Sequence, residues 1–218
     1  MGIEAICLSD AEARQGAERL ALALTRTRTL RSPDQAIAPE RIEGVLNPAE
    51  VLSDWSEDKR QTLLRRAPFD PATDGRVRFY HRSVQEYLAA QHLKELHDRG
   101  MPIRALLRLL VETQYGVEVV IPSMRPLAAW LALWVGEVPD TLMQREPEAL
   151  LLFGDPESLS IDVRSRLPTR FVEAYGEGGW RGLDVPLDEV RRSAHSDLVP
   201  VVRRLWGTAP PTRTSAIF

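Results

Sequence analysis

"RVRFYHRSVQEYLAAQHLKEL", residues 76–96, decides how this chain is read. Val77 and Phe79 alternate with Arg76, Arg78 and Tyr80, the period of two that marks a half-buried strand. From Arg82 the period changes. Val84, Tyr87, Leu88, Gln91 and further apolar positions to Leu96 recur at helical spacing, and Gly100-Met101-Pro102 ends the run. A strand therefore runs straight into a long helix, and the joint carries His81 beside Arg78 and Arg82, with Glu86 one turn on.

Upstream, Phe69 leads into Pro71, Asp74 and Gly75, a turn that makes residues 69–79 a hairpin. "SEDKRQTLLRRA" predicts a helix capped by Ser56 with Leu63 and Leu64 inward, and "LNPAEVLSDW" a short one with Asn47 as cap and Pro48 at the first helical position. Residues 28–46, with Ser32-Pro33, Ala38-Pro39 and Gly44, read as irregular. Residues 10–27, capped at Ser9-Asp10, place Ala13, Ala17, Leu20, Ala21 and Leu24 on one helical face. Three helices, a two-stranded wing and a following helix thus occupy residues 1–98.

Downstream of Pro102 the periodicity predicts helices alone. Ile103, Leu106, Leu107 and Leu110 mark one; Leu127, Trp130, Leu131, Trp134 and Val138 mark a second; shorter pieces follow at 146–153, 158–175, 186–194 and 196–206. Pro or Gly separates most of them, the pattern of short amphipathic helices stacked in pairs. The expected fold is mainly α: a winged-helix-like unit with a small β-hairpin over 1–98, then an α-helical, HEAT-like array over 99–218 that ends in a mobile tail, "GTAPPTRTSAIF".

Composition narrows the function classes. With 44% hydrophobic and 27% charged residues and a net charge of -3, the chain has neither the polarity of a disordered segment nor the basic excess of a nucleic-acid binder. A single cysteine, Cys7, excludes an intramolecular disulfide and a multi-cysteine zinc site and points to an intracellular, cytoplasmic protein. It reads as a small buried hydrophobe. The longest apolar run, Leu127 to Gly136, is about half of what crosses a bilayer, so no membrane partner is expected. Of the basic residues only Lys59 and Lys94 are lysines, and neither follows a glycine. No Walker-type phosphate loop can be built from them.

"FYHRSVQEYLAA", residues 79–90, resembles the motif near the end of the NACHT ATPase module of STAND-class signalling NTPases. The matching positions are Phe79, His81, Ser83, Gln85, Glu86, Tyr87, Leu88, Ala89 and Ala90. The resemblance implies that the chain follows a nucleotide-binding domain in a larger protein, and its abrupt opening reads the same way. It also implies ATP or ADP with magnesium as cofactors of the full-length protein, and a contact from His81 to the nucleotide phosphates. The upstream NTPase domain would be one partner and a ligand or protein at the helical array another, in bacterial signalling or antiphage defence. Without a Walker loop the chain is not expected to be an enzyme by itself.

Each residue carries a second, plainer reading. His81 sits at a strand end before uncapped helical amides, where donors converge on an anion; equally, it caps or bridges the helix start. Glu86 and Gln85 read as joint residues, Glu86 ion-paired, with no second carboxylate at catalytic spacing. Tyr87, Ala89 and Ala90 read as packing positions. His92 and His97 lie five apart, the wrong offset for two ligands on one face, and no metal site is expected. His195 reads as a helix-terminal surface residue. Two other functions compete. Seven basic residues (Lys59, Arg60, Arg65, Arg66, Arg76, Arg78, Arg82) against Glu57, Asp58, Asp70 and Asp74 suit a winged-helix DNA-binding module. A helical scaffold with no nucleotide role suits the remainder.

Overall fold

A computed structural model describes residues 8–25, 29–31, 45–72, 76–176 and 185–208. Cys7, the Asp74-Gly75 turn and residues 209–218 of the tail lie outside the described residues. The described chain is mainly helical with small antiparallel hairpins, and it divides into two compact units, Met1–Met101 and Pro102–Phe218. The boundary falls inside the Gly100-Met101-Pro102 break, where the expectation had placed it after residue 98.

In the first unit, α1 (Asp10–Ala23) starts at a reciprocal cap: Ser9 accepts from the Glu12 amide, and the Glu12 carboxylate accepts from the Ser9 amide. Strands β1 (Thr29–Arg31) and β2 (Val45–Leu46) lie within the stretch 28–46 read as irregular. Asn47 caps α2 (Pro48–Val51) and Ser56 caps α3 (Glu57–Leu64). The hairpin is β3 (Phe69–Ala72) and β4 (Arg76–Phe79), and α4 (Arg82–Asp98) follows.

These strands form one sheet in the order β2-β1-β4-β3, with β1 parallel to β2 and antiparallel to β4. That corrects the reading of 28–46 as wholly irregular. Three- and two-residue strands are too short to show alternation; β1 pairs on the edge that β4 offers, and β2 on the edge of β1. Pairing of Phe69 with Phe79 puts both rings on the buried face, centroids 4.7 Å apart, while Asp70 and Arg78 pair on the other face at 3.4 Å.

The core of this unit lies between α1 and α4. Ala13, Ala17, Leu20 and Ala21 of α1 and Ala89, Ala90 and Leu93 of α4 are all buried, and alanines let two helices approach closely. Gly16 faces the same unit's Trp55: a Cβ there would lie 2.7 Å from the indole. Val84, the first apolar position of the α4 helical spacing, is exposed. It lies in the first turn of α4, ahead of the stretch that α1 covers.

The second unit begins with α5 (Ile103–Leu110), whose Leu106 and Leu110 are buried. Next comes a second hairpin, β5 (Val111–Gln114) and β6 (Val117–Val120), where helices alone had been read. The turn explains it. Tyr115 and Gly116 have φ of 53° and 80°, the two positive values a two-residue type I′ turn requires, and the flanking Val111, Thr113, Val117, Val119 and Val120 favour strand. Tyr115 in that conformation has no signature of the Asn-Gly kind, so the hairpin was hidden.

A further correction concerns the helix read from Leu127 to Val138. It is two helices: α6 (Arg125–Leu131) and α7 (Glu137–Arg145). Continuing through would set the Pro139 ring against the Val135 carbonyl; a restart at Gly136 puts the proline in a first turn, where its missing N–H costs nothing. Then come α8 (Ala149–Leu152), α9 (Ile161–Tyr175), α10 (Leu187–Arg192) and α11 (Val199–Thr208). Gly154, at φ 68°, ends the α8 segment against the Ala129 backbone, where a Cβ would come within 2.9 Å. Arg164 of α9, itself buried, donates to the carbonyls of Glu157, Ser193 and Ala194 at 3.2, 3.0 and 2.6 Å.

Candidate functional site

The strand-to-helix joint divides its residues by exposure. Phe79 ends β4 buried against Phe69. Tyr80 then turns outward, and its amide bonds to the Pro68 carbonyl at 2.9 Å, completing the hairpin. His81 is the N-cap of α4, extended at φ -118° and ψ 130°, and its carbonyl accepts from the Gln85 amide at 3.3 Å. Its side chain makes no capping hydrogen bond. The imidazole is exposed and stands edge-on to the Tyr80 ring, centroids 4.4 Å apart. Of the two plain roles read for His81, the backbone starts the helix while the side chain does not cap it.

Ser83 and Val84 are exposed beside it. Arg82 reaches along the first turn to Glu86 at 2.9 Å. Partial burial pushes the Glu86 carboxyl up, and the Arg82 guanidinium opposes that shift. Gln85 points the other way and donates to the Leu24 carbonyl at 3.2 Å, satisfying an acceptor at the end of α1. Tyr87 is joined to Gln91 one turn on, at 3.0 Å. Leu88 is half-buried, and Ala89 and Ala90 are sealed against α1. The motif thus has an inner part that holds α4 in place and an outer part, Tyr80 to Val84, that faces away from the unit's core.

The basic residues of the DNA reading are mostly engaged. Lys59 pairs with Glu12, Arg60 with Glu57, Arg66 with Asp10, Arg78 with Asp70 and Arg82 with Glu86. Arg60 also donates to the Leu52 and Trp55 carbonyls, closing the α2–α3 turn. The Arg76 side chain lies outside the described residues. Three of these partners, Asp10, Glu12 and Glu86, stand outside the four acids weighed from sequence.

The histidines separate. His97 bonds through Nδ1 to the Met101 carbonyl at 2.8 Å, and His195 accepts from the Asp197 amide at the start of a short 3-10 helix, as a helix-terminal surface residue. His92 is half-buried on α4, and burial pushes its pKa down, toward the neutral imidazole. It meets Glu95 of the same helix and Glu18 of α1: one ligand atom from each lies within 4.8 Å of the other two. The expectation weighed His92 only against His97. His-x-x-Glu places two ligands one helical turn apart, a signal the sequence did contain; the third comes from a helix some seventy positions earlier, and only the α1–α4 crossing brings it in.

Among the described residues no helix is long and apolar enough to cross a membrane. Compared with known proteins, the chain matches no family model, no curated protein and no solved structure.

Proposed function

We propose that this chain is the regulatory part that follows the ATPase core of a STAND-class, NACHT-type NTPase, and that His81 contacts the nucleotide phosphates when that core docks. The observation that carries this reading is the exposure of His81. Its imidazole stands clear at the start of a 17-residue helix and leaves the first-turn amides uncapped by side chain, so histidine and amides together can serve one anion. The neighbouring exposed Tyr80 and Val84 supply apolar surface for the docked domain. Three helices followed by a hairpin give the element order of a winged helix, with β1 added to the hairpin's edge.

In this reading α4 is the connecting rod. Gln85, Ala89 and Ala90 bind it to α1, so a push at His81 moves the helix as a body rather than bending its first turn. The helices after Pro102 then form the surface for a protein partner or ligand. Their short amphipathic segments favour a HEAT-like stack, from which the β5–β6 hairpin departs.

The test uses the full-length protein that carries this chain. On this reading that protein holds ADP and releases it slowly, and His81→Ala is expected to speed release of a fluorescent ADP analogue roughly tenfold, the loss of one charge-assisted contact. Unchanged release removes the phosphate role. Ser83→Ala, exposed and outside that contact, is expected to leave release as it was.

A further inference from the structure

We propose that Glu18, His92 and Glu95 form a binding site for a divalent first-row metal ion of the zinc class, clamped between α1 and α4. This inference rests on side-chain chemistry in the first unit and stands apart from the nucleotide reading.

The first reason is an unmet need. Glu18 is 1% exposed. One of its oxygens accepts from Arg14 Nε at 2.7 Å; the other, Oε2, is shut off from solvent without a hydrogen-bond donor. Nδ1 of His92 is likewise enclosed and unpartnered. Buried polar atoms are satisfied in the great majority of proteins, and two such atoms in one cluster of three ligands ask for a shared partner. A cation bound to both satisfies the oxygen and the imidazole nitrogen together.

The second reason is donor type and spacing. A zinc ion bound at about 2.0–2.2 Å holds its ligands roughly 3.5 Å apart, so the three atoms close by about an ångström through side-chain rotation. One imidazole with two carboxylates suits zinc, manganese, iron, cobalt or nickel. It suits neither the all-oxygen preference of calcium and magnesium nor the thiolates of copper(I) sites.

The third reason is that the surrounding cations can give way. The Arg14 and Arg99 side chains that pair with Glu18 and Glu95 are 58% and 62% exposed, so each guanidinium can swing into water as the ion takes over its carboxylate. Arg19, which faces His92, is already held by both oxygens of Asp54, at 2.9 and 2.7 Å. With three protein ligands the ion would tie α1 to the helix that begins at His81.

Zinc alone is the probe, titrated calorimetrically into the chelator-stripped, untagged chain, with cobalt as a spectroscopic substitute. One zinc per chain is expected, with visible cobalt bands and a rise in melting temperature. Loss of an outer-shell partner commonly weakens metal binding about 10–100-fold, so His92→Gln and Glu95→Gln, each losing a ligand, are expected to weaken it at least that much. His195→Gln should bind as wild type. Both ligand variants keep side chains of similar reach, and circular dichroism checks their folding. Absence of one-to-one binding, or binding that survives both substitutions, overturns the proposal. So does the outcome in which zinc fails to bind and Glu95→Gln stabilises the chain at neutral pH, for then Glu18 and Glu95 share a proton.

Discussion

At the scale of single residues, the cap of α1 is the feature with the clearest consequence. The Glu12 carboxylate accepts from Lys59 and from the amide and hydroxyl of Ser9, and these contacts hold its pKa down at about 2, against 4.5 in the free residue. A carboxyl whose pKa is lowered by folding stabilises the fold at pH values above its unfolded pKa, and the contribution drains away as pH falls through the folded one. Glu12→Gln keeps the reach of the capping box and removes the charge. Urea midpoints of wild type and variant should therefore differ at neutral pH and converge between pH about 4.5 and about 2; a constant gap would show that charge is not the cause. Ser9→Ala, which removes the cap itself, should cost about 1 kcal/mol at neutral pH.

At the scale of elements, the second unit depends on a guanidinium used as a pin. Arg164 lies on α9, a helix that already gives up one backbone bond at Pro168. Its three carbonyl acceptors sit in the stretch before α9 and in the turn after α10, so one side chain fixes the helix between two irregular segments. Arg164→Met fills similar volume and leaves those carbonyls without their donor. At about 1–3 kcal/mol for each buried group left unsatisfied, the expected loss is about 3 kcal/mol or more by urea unfolding. A loss below 1 kcal/mol would mean that water replaces the guanidinium. Arg164→Lys should recover little, because an ammonium cannot spread three donors over a plane.

For the whole molecule, charge pairing bears on the competing DNA function. The basic excess counted along residues 57–82 mostly disappears once tertiary partners are included: Lys59 and Arg66 meet acids of α1, and Arg82 meets Glu86. Non-specific affinity for duplex DNA grows with the number of phosphates that free cations can neutralise. The chain is therefore expected to show no salt-dependent binding to duplex DNA even at low ionic strength, measured by fluorescence anisotropy. Binding that weakens steeply with added salt would favour the DNA-binding module instead.

Local signals were legible wherever they complete themselves within a few residues. The caps at Ser9, Asn47 and Ser56, the helix from Arg82 to Asp98 and the β3–β4 hairpin all follow from spacing and turn chemistry in the sequence alone. So did the inward Ala89 and Ala90 and the ion pair on Glu86. Features created by distant partners stayed hidden: strand β1, which needs the edge of β4, and β2, which needs that of β1; the I′ turn at Tyr115, which lacks its usual residue types; and the meeting of Glu18 with His92 and Glu95. Backbone hydrogen bonds within a helix or turn are set by neighbours along the chain, so sequence by itself determined those elements. Which buried oxygen lies against which imidazole depends on how two helices cross, and only the tertiary structure decided that.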